Sequence, residues 1–211
     1  MELSGVQAVL LDMDGTLVNS DAAVERAWMT WAAEYRVDPD GVPLIAHGMP
    51  ALGNVRRLRP DLSQAEAAVA AQRQLELQYD DVADVTAAPG AAELLGELDR
   101  LGLPGAVVTS ADPPLARVRL AAAGIRPALL VTSDDVRAGK PDPEGYRLAA
   151  GRLGVDPRRC LVVEDAEAGV RAGRAAGATV AALKGVPADI QIADLYQLST
   201  LLREACVTRR T

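Results

Sequence analysis

The 211-residue sequence contains no phenylalanine, and aromatic residues account for only 3% of it. Hydrophobic residues still make up 49%, so the core must be filled by Ala, Val and Leu, side chains that favour close packing of helices and strands. The length suits one large domain, or a domain carrying a smaller insert. Cysteine is scarce too. Cys160 and Cys206 are too few for a disulfide framework and lack metal-ligand spacing, which predicts reduced thiols in a cytoplasmic protein. Basic runs of the kind that mark nucleic-acid or anionic-membrane surfaces are missing, and the formal net charge is -7, so neither partner is expected. An anionic substrate would need positive charge gathered locally. No apolar run approaches the roughly 18 residues of a membrane span. The opening "MELSGVQAVLLDMDG" has no basic segment before its apolar run and reads as unexported.

What is present is a rhythm. Short aliphatic runs recur at "VQAVLLD" (6–12), "GAVVTS" (105–110), "ALLVTS" (128–133), "CLVVED" (160–165) and "TVAAL" (179–183), each resembling a strand buried on both faces. Helical patterns with start and stop signals, such as "DPPLARVRLAAAG", lie between the later runs. The alternation predicts an α/β fold with a parallel sheet covered by helices. Between the first and second runs the rhythm breaks. Residues 19–86 are almost entirely helical in pattern, interrupted by the loop "AHGMP". This is too long for an ordinary crossover and reads as an inserted helical domain, with 1–18 and 87–211 forming the core.

Open parallel sheets bind ligands beyond the carboxyl ends of their strands. "VQAVLLD" leads to Asp12 and Asp14, "GAVVTS" to Thr109 and Ser110, and "CLVVED" to Glu164 and Asp165, while "ALLVTS" precedes "DDVRAGKPDP" with Lys140. Asp142 and Asp165 would also serve as helix N-caps, and Thr109 and Ser110 as turn residues. Lys140 is one of only two lysines among 22 basic residues, which hints at a need for a compact ammonium. Several carboxylates at partly buried strand ends repel one another, and they protonate or spread apart unless a cation compensates them. Every available ligand atom is an oxygen, which suits a hard divalent ion such as Mg2+. In that field one carboxylate stays ionised and can attack, while a neighbour free of direct metal contact can carry a proton.

"DMDGTL", "VVTS", "GKPDP" and "VVED", in that order, resemble the four motifs of the haloacid dehalogenase superfamily of phosphotransferases. The helical insert after the first motif is similar to the small cap of the subfamily containing β-phosphoglucomutase and many sugar phosphatases. "AVERAWMTWA", "AHGMPALGNVRRLRPDL" and "GKPDPEGYRLAAGRLGVDP" look like its 2-deoxyglucose-6-phosphatase type of sugar and polyol phosphatases. The resemblance implies a Rossmann-like parallel sheet core with an inserted helical cap, and an Mg2+-dependent phosphatase acting on a small phosphorylated sugar or polyol. It makes Asp12 the nucleophile and Asp14 the acid and base. It assigns the metal to the Asp12 carboxylate, the Asp14 backbone carbonyl and Asp165, with Glu164 direct or through water. Thr109, Ser110 and Lys140 would bind the phosphoryl oxygens, and Gly15 would let the backbone turn around them. A monomer or weak homo-oligomer is expected.

Asp14 argues against carbon-halogen cleavage, because the family's dehalogenases do not use a second aspartate there. A sugar-phosphate mutase is the alternative enzyme, but "NSDAAVERAW" lacks the histidine usual in mutases, which favours hydrolysis. A non-catalytic phosphosugar-binding protein is the alternative outside enzymes. Met49 stands where related phosphatases usually carry arginine, Asn19 where Asp is common and Ala166 where Ser is common. Substrate selection is expected from the cap loop around His47 to Asn54, with Arg56 or Arg57 as contacts. His47, the only histidine, fits substrate binding and a structural role in that loop equally well.

Overall fold

The strands in chain order are β1 (Ala8–Leu11), β2 (Val18–Asn19), β3 (Thr86–Ala87), β4 (Gly105–Val108), β5 (Leu130–Val131), β6 (Cys160–Glu164), β7 (Thr179–Ala182) and β8 (Ile190–Gln191). The helices are α1 (Asp21–Tyr35), α2 (Ala51–Leu58), α3 (Gln64–Tyr79), α4 (Ala91–Leu101), α5 (Pro113–Ala122), α6 (Glu144–Arg152), α7 (Glu167–Ala176) and α8 (Leu195–Thr208). The structure is a computed structural model that describes residues 3–41 and 50–208.

Strand β1 is buried throughout. Val9 and Leu11 join one core cluster while Ala8 and Leu10 join another, the period-two split of a strand covered on both faces. β6 divides in the same way, with Leu161 and Val163 in the first cluster and Cys160 and Val162 in the second. The six-stranded sheet runs β5-β4-β1-β6-β7-β8, and all its pairings are parallel. The chain therefore builds outward from β1 in both directions. Register sets the functional end of the sheet: Leu11 lies opposite Val107 and Val163, and the Asp12 amide donates to the Val163 carbonyl at 3.0 Å. Asp12 and Glu164 consequently finish their strands side by side.

The α/β fold and the helical insert are as the sequence implies. Strand β8 was not anticipated; it is two residues long at the sheet edge, too short to carry a periodic signal. The small antiparallel pair β2 and β3, with Val18 opposite Ala87 and Asn19 opposite Thr86, was also missed. It closes the neck where the chain leaves the sheet for α1 and returns toward α4.

Between those two short strands, α1, α2 and α3 form an inserted helical cap around its own cluster, in which Val24, Trp28, Trp31 and Ala32 of α1 meet Val55 of α2 and Ala67, Ala70 and Ala71 of α3. The alanines of α3 let its backbone approach the indoles closely enough for Trp31 Nε1 to donate to the Ala70 carbonyl at 2.8 Å. Trp31 also stacks on Tyr35, with centroids 4.6 Å apart. Ser63 and Glu66 start α3 with a reciprocal capping box, which satisfies amides that would otherwise lack partners. Among the described residues no helix is long and apolar enough to cross a membrane.

Replacing Trp31 with alanine removes one of the cap's two buried tryptophans and its hydrogen bond. The expected loss is about 3–5 kcal/mol of unfolding free energy, measurable by urea denaturation. A loss below about 1 kcal/mol would show that this cluster does not hold the cap together.

Candidate active site

Asp12 follows β1, Glu164 ends β6 and Asp165 follows it. All three are buried, and their carboxylates offer oxygens that lie within 4.8 Å of one another. Lys140, carried by the segment between β5 and α6, is also buried. Its ammonium pairs with Asp12 Oδ1 and with Glu164 Oε1 at 2.6 Å. The Tyr146 hydroxyl on α6 donates to the same Glu164 oxygen at 2.6 Å. Glu164 Oε2 accepts from the amides of Asp165 at 3.1 Å and Ala166 at 3.4 Å. Both oxygens of Glu164 are thus engaged by protein donors.

Asp14 stands apart from this cluster. Its side chain is 25% exposed, and Oδ1 accepts from Ser20 Oγ at 2.7 Å and pairs with Arg119 Nη1 at 2.7 Å. Two carboxylates only two residues apart therefore have different surroundings at the mouth of one crevice beneath the cap, Asp12 enclosed with lysine and acids, Asp14 more exposed and held by Ser20 and Arg119. Asp12, Asp14, Thr109 and Ser110 line that crevice on the core side, while Trp28, Gln74 and Gln78 line it from the cap. Thr109 is buried, and its Oγ1 accepts from the Ala111 amide at 3.1 Å. On the other side of Lys140 a second hollow, lined by Thr109, Ser110, Thr132, Gly139 and Tyr146, reaches the same strand ends.

The electrostatics follow from burial. Enclosure raises the Asp12 carboxyl well above its ordinary range; Lys140 opposes the shift, and Glu164 and Asp165 add to it. Asp165 is raised for the same reasons, burial first and then Glu164, with Lys184 opposing. Burial works against the charge of Lys140, but Asp12 and Glu164 together outweigh it and hold the ammonium protonated. Tyr146 is pushed up by burial and by Glu164, so it remains a donor.

Several readings from the sequence need adjustment. Asp165 is not an N-cap: Ala166 occupies that position on α7 without a side-chain cap, and Asp165 instead meets Lys184 at 3.0 Å. Asp142 accepts from the Glu144 amide at 2.9 Å, turning the chain into α6. Arg56 and Arg57 are exposed on the last turn of α2. His47 and Met49 lie outside the described residues.

Lys184 was missed as a site residue. It joins Asp165 to Asp21 at the start of α1, with a 2.7 Å contact to the latter, so both lysines of the chain end at this acidic face. Their rarity was the available signal. Arg119 was missed as well, although it lies three and four residues beyond Ala116 and Leu115 on the buried face of α5. A charge at an apolar position of a helix was the clue. Gly15 takes φ +80°, and a Cβ there would run into the Asp165 carboxylate and the Lys184 ammonium, so the turn is closed to larger residues.

The donor set fits a hard divalent cation. It consists of oxygens, it is buried, and Asp12 and Asp165 both hold their protons more tightly than usual, first because of burial and then because of the neighbouring acids. The comparisons with known proteins decide the family, because a family model described as haloacid dehalogenase-like hydrolase matches residues 6–177. The chain belongs to the haloacid dehalogenase-like hydrolases. Hexitol phosphatase A of Escherichia coli (strain K12) is 43% identical over 181 residues, covering 85% of this chain and 83% of that protein. 2-Deoxyglucose-6-phosphate phosphatase 1 of Saccharomyces cerevisiae is 33% identical, covering 91% and 89%. The crystal structure of CbbY from Rhodobacter sphaeroides in complex with phosphate superimposes with a TM-score of 0.79 at 25% identity, covering 92% of this chain and 96% of that one. This hydrolase brings the carboxylates of Asp12, Glu164 and Asp165 close enough together to hold a metal ion.

Because both acid shifts are upward, Asp12 and Asp165 favour folding most when protonated, and that contribution is lost as pH rises through their folded values. A bound cation offsets the loss, and protons compete with it. Adding Mg2+ to chelator-treated protein should therefore raise the thermal midpoint more at about pH 8 than at about pH 5.5. Equal shifts, or none at either pH, would contradict a cation shared by these acids.

Proposed function

We propose that this hydrolase is an Mg2+-dependent phosphatase that releases phosphate from a small sugar or polyol phosphate through an aspartyl-phosphate on Asp12. The observation that carries the reading is the division of labour between Asp12 and Asp14. Both line the crevice beneath the cap, but Asp12 is enclosed beside Lys140 and the other acids, whereas Asp14 is more exposed and is held by Ser20 and Arg119. A nucleophile needs to be ionised and aimed at phosphorus, and an acid needs access to the leaving oxygen. The matching to hexitol and deoxyglucose phosphate phosphatases supports the substrate class.

In this reading an Asp12 oxygen attacks phosphorus while the bond from phosphorus to the sugar oxygen breaks. Asp14 delivers a proton to that oxygen from Oδ2, since Ser20 and Arg119 both occupy Oδ1. After the alcohol leaves, Asp14 takes a proton from water, which attacks the aspartyl-phosphate and restores Asp12. Thr109, Ser110 and Lys140 bind the phosphoryl oxygens and compensate charge on the transferring group. The residues that would hold Mg2+ are Asp12, Asp165 and the Asp14 backbone carbonyl, with Glu164 acting mainly by fixing Lys140; when bound, the ion neutralises phosphoryl charge. Residues 19–86 serve as the cap and 1–18 with 87–211 as the catalytic core, the β2 and β3 pair forming the neck between them. Closure of the cap excludes bulk water until the alcohol has gone.

The test is phosphate release from hexitol 6-phosphate, 2-deoxyglucose 6-phosphate and glycerol 1-phosphate with Mg2+, before and after Asp12→Asn. The wild-type chain should turn over at least one ester, and the variant should lose about 10³-fold or more in kcat with its urea unfolding transition retained. A folded variant within about tenfold of wild type would remove Asp12 as nucleophile.

A further inference from the structure

The crevice wall facing Asp12 carries polar groups that phosphoryl transfer itself does not use. Gln74 and Gln78 sit one turn apart on α3, and Gln78 Nε2 donates to Gln74 Oε1 at 2.8 Å. Gln78 Oε1 accepts from Arg119 on α5, and Arg119 in turn pairs with Asp14. The three residues are 1%, 4% and 2% exposed respectively, and all three line the crevice with Asp12, Asp14 and Ser110. A second contact fixes this wall in place: the Tyr79 hydroxyl of α3 donates to Asp112 Oδ2 at 2.5 Å, while Asp112 Oδ1 caps α5 through the Leu115 amide at 2.9 Å.

The relay leaves two donors over. Gln74 Nε2 and Arg119 Nε are buried without a hydrogen-bond partner among the described residues. An orphaned buried donor disfavours folding, and such groups are rare unless something else satisfies them. Apolar side chains would pack this wall at no such cost. The charge of the missing partner is also constrained. Arg119 is already balanced by Asp14, and both glutamines are neutral, so the wall has no net charge to offer a second anion. A carboxylate placed there would face Asp14 directly. Neutral oxygen acceptors fit, and a hydroxyl both accepts from these donors and donates in return.

We infer that Gln74, Gln78 and Arg119 form the leaving-group subsite, reading neutral hydroxyls of the polyol or sugar that departs from phosphorus. This rests on the phosphatase reading above and moves selectivity from the cap loop around His47 to the face where α3 meets α5. Gln74 contributes a free donor. Gln78 holds both Gln74 and Arg119 in position, and Arg119 joins the subsite to the acid that protonates the leaving oxygen. A site built to bond hydroxyls discriminates strongly against esters that lack them, since its donors are then left unpaired.

The experiment compares kcat/KM for hexitol 6-phosphate and for 4-nitrophenyl phosphate, whose leaving group has no aliphatic hydroxyls, in wild type, Gln74→Met and the double variant Gln74→Met/Gln78→Met. Methionine keeps the side-chain length and removes the amide. The preference for the hexitol ester should fall at least about tenfold in Gln74→Met and further in the double variant. The preference is a ratio within one preparation, so partial loss of folded protein cancels. Equal losses on both esters, or an unchanged ratio, would overturn the subsite while leaving the phosphatase reading intact. A wild-type chain that releases phosphate from neither ester would sink that reading and the subsite with it.

Discussion

The buried pairing of Lys140 with Asp12 and Glu164 is the constraint from which the rest of the site follows. Parallel register sets two carboxylates at adjoining strand ends, and in a low-dielectric interior such a pair is unfavourable without a counter-charge. Lys140 supplies one charge, shared between them. Tyr146 and two backbone amides complete the shell of Glu164, so this acid acts as an anchor for the ammonium. Asp12 and Asp165 keep the uncompensated part of the negative charge, which a divalent cation would neutralise.

Placement of positive charge answers the puzzle of an acidic protein with an anionic substrate. The formal charge of the chain is -7, yet Lys140, Lys184 and Arg119 all converge on the same end of the sheet. Each is tied to an acid: Lys140 to Asp12 and Glu164, Lys184 to Asp165 and Asp21, Arg119 to Asp14. Two of these ties also reach cap residues, Lys184 through Asp21 and Arg119 through Gln78. Cap position and site electrostatics are consequently linked by the same side chains.

The strand-end acids were legible in the sequence because an aliphatic run buried on both faces leaves little doubt about where its polar terminus lies. Lys140 was legible through the scarcity of lysine. The helical insert was legible through its length and periodicity, and its core of Trp28 and Trp31 is where the absence of phenylalanine is made good. Arg119, Gln74 and Gln78 were not read as functional, because polar residues within a helical pattern ordinarily belong to the solvated face. Only the packing of α3 on α5 shows that these three are enclosed. Ile190–Gln191 escaped for a different reason: two residues at a sheet edge carry no period.

The central claim, that Asp12 becomes the covalent carrier of the phosphoryl group, is tested most directly by acid-quenching the enzyme during turnover of a reactive ester and mapping its peptides by mass spectrometry. The account predicts the added mass of one phosphoryl group on the peptide containing Asp12. Steady turnover with that peptide unmodified, and the label on another residue or on none, would contradict it.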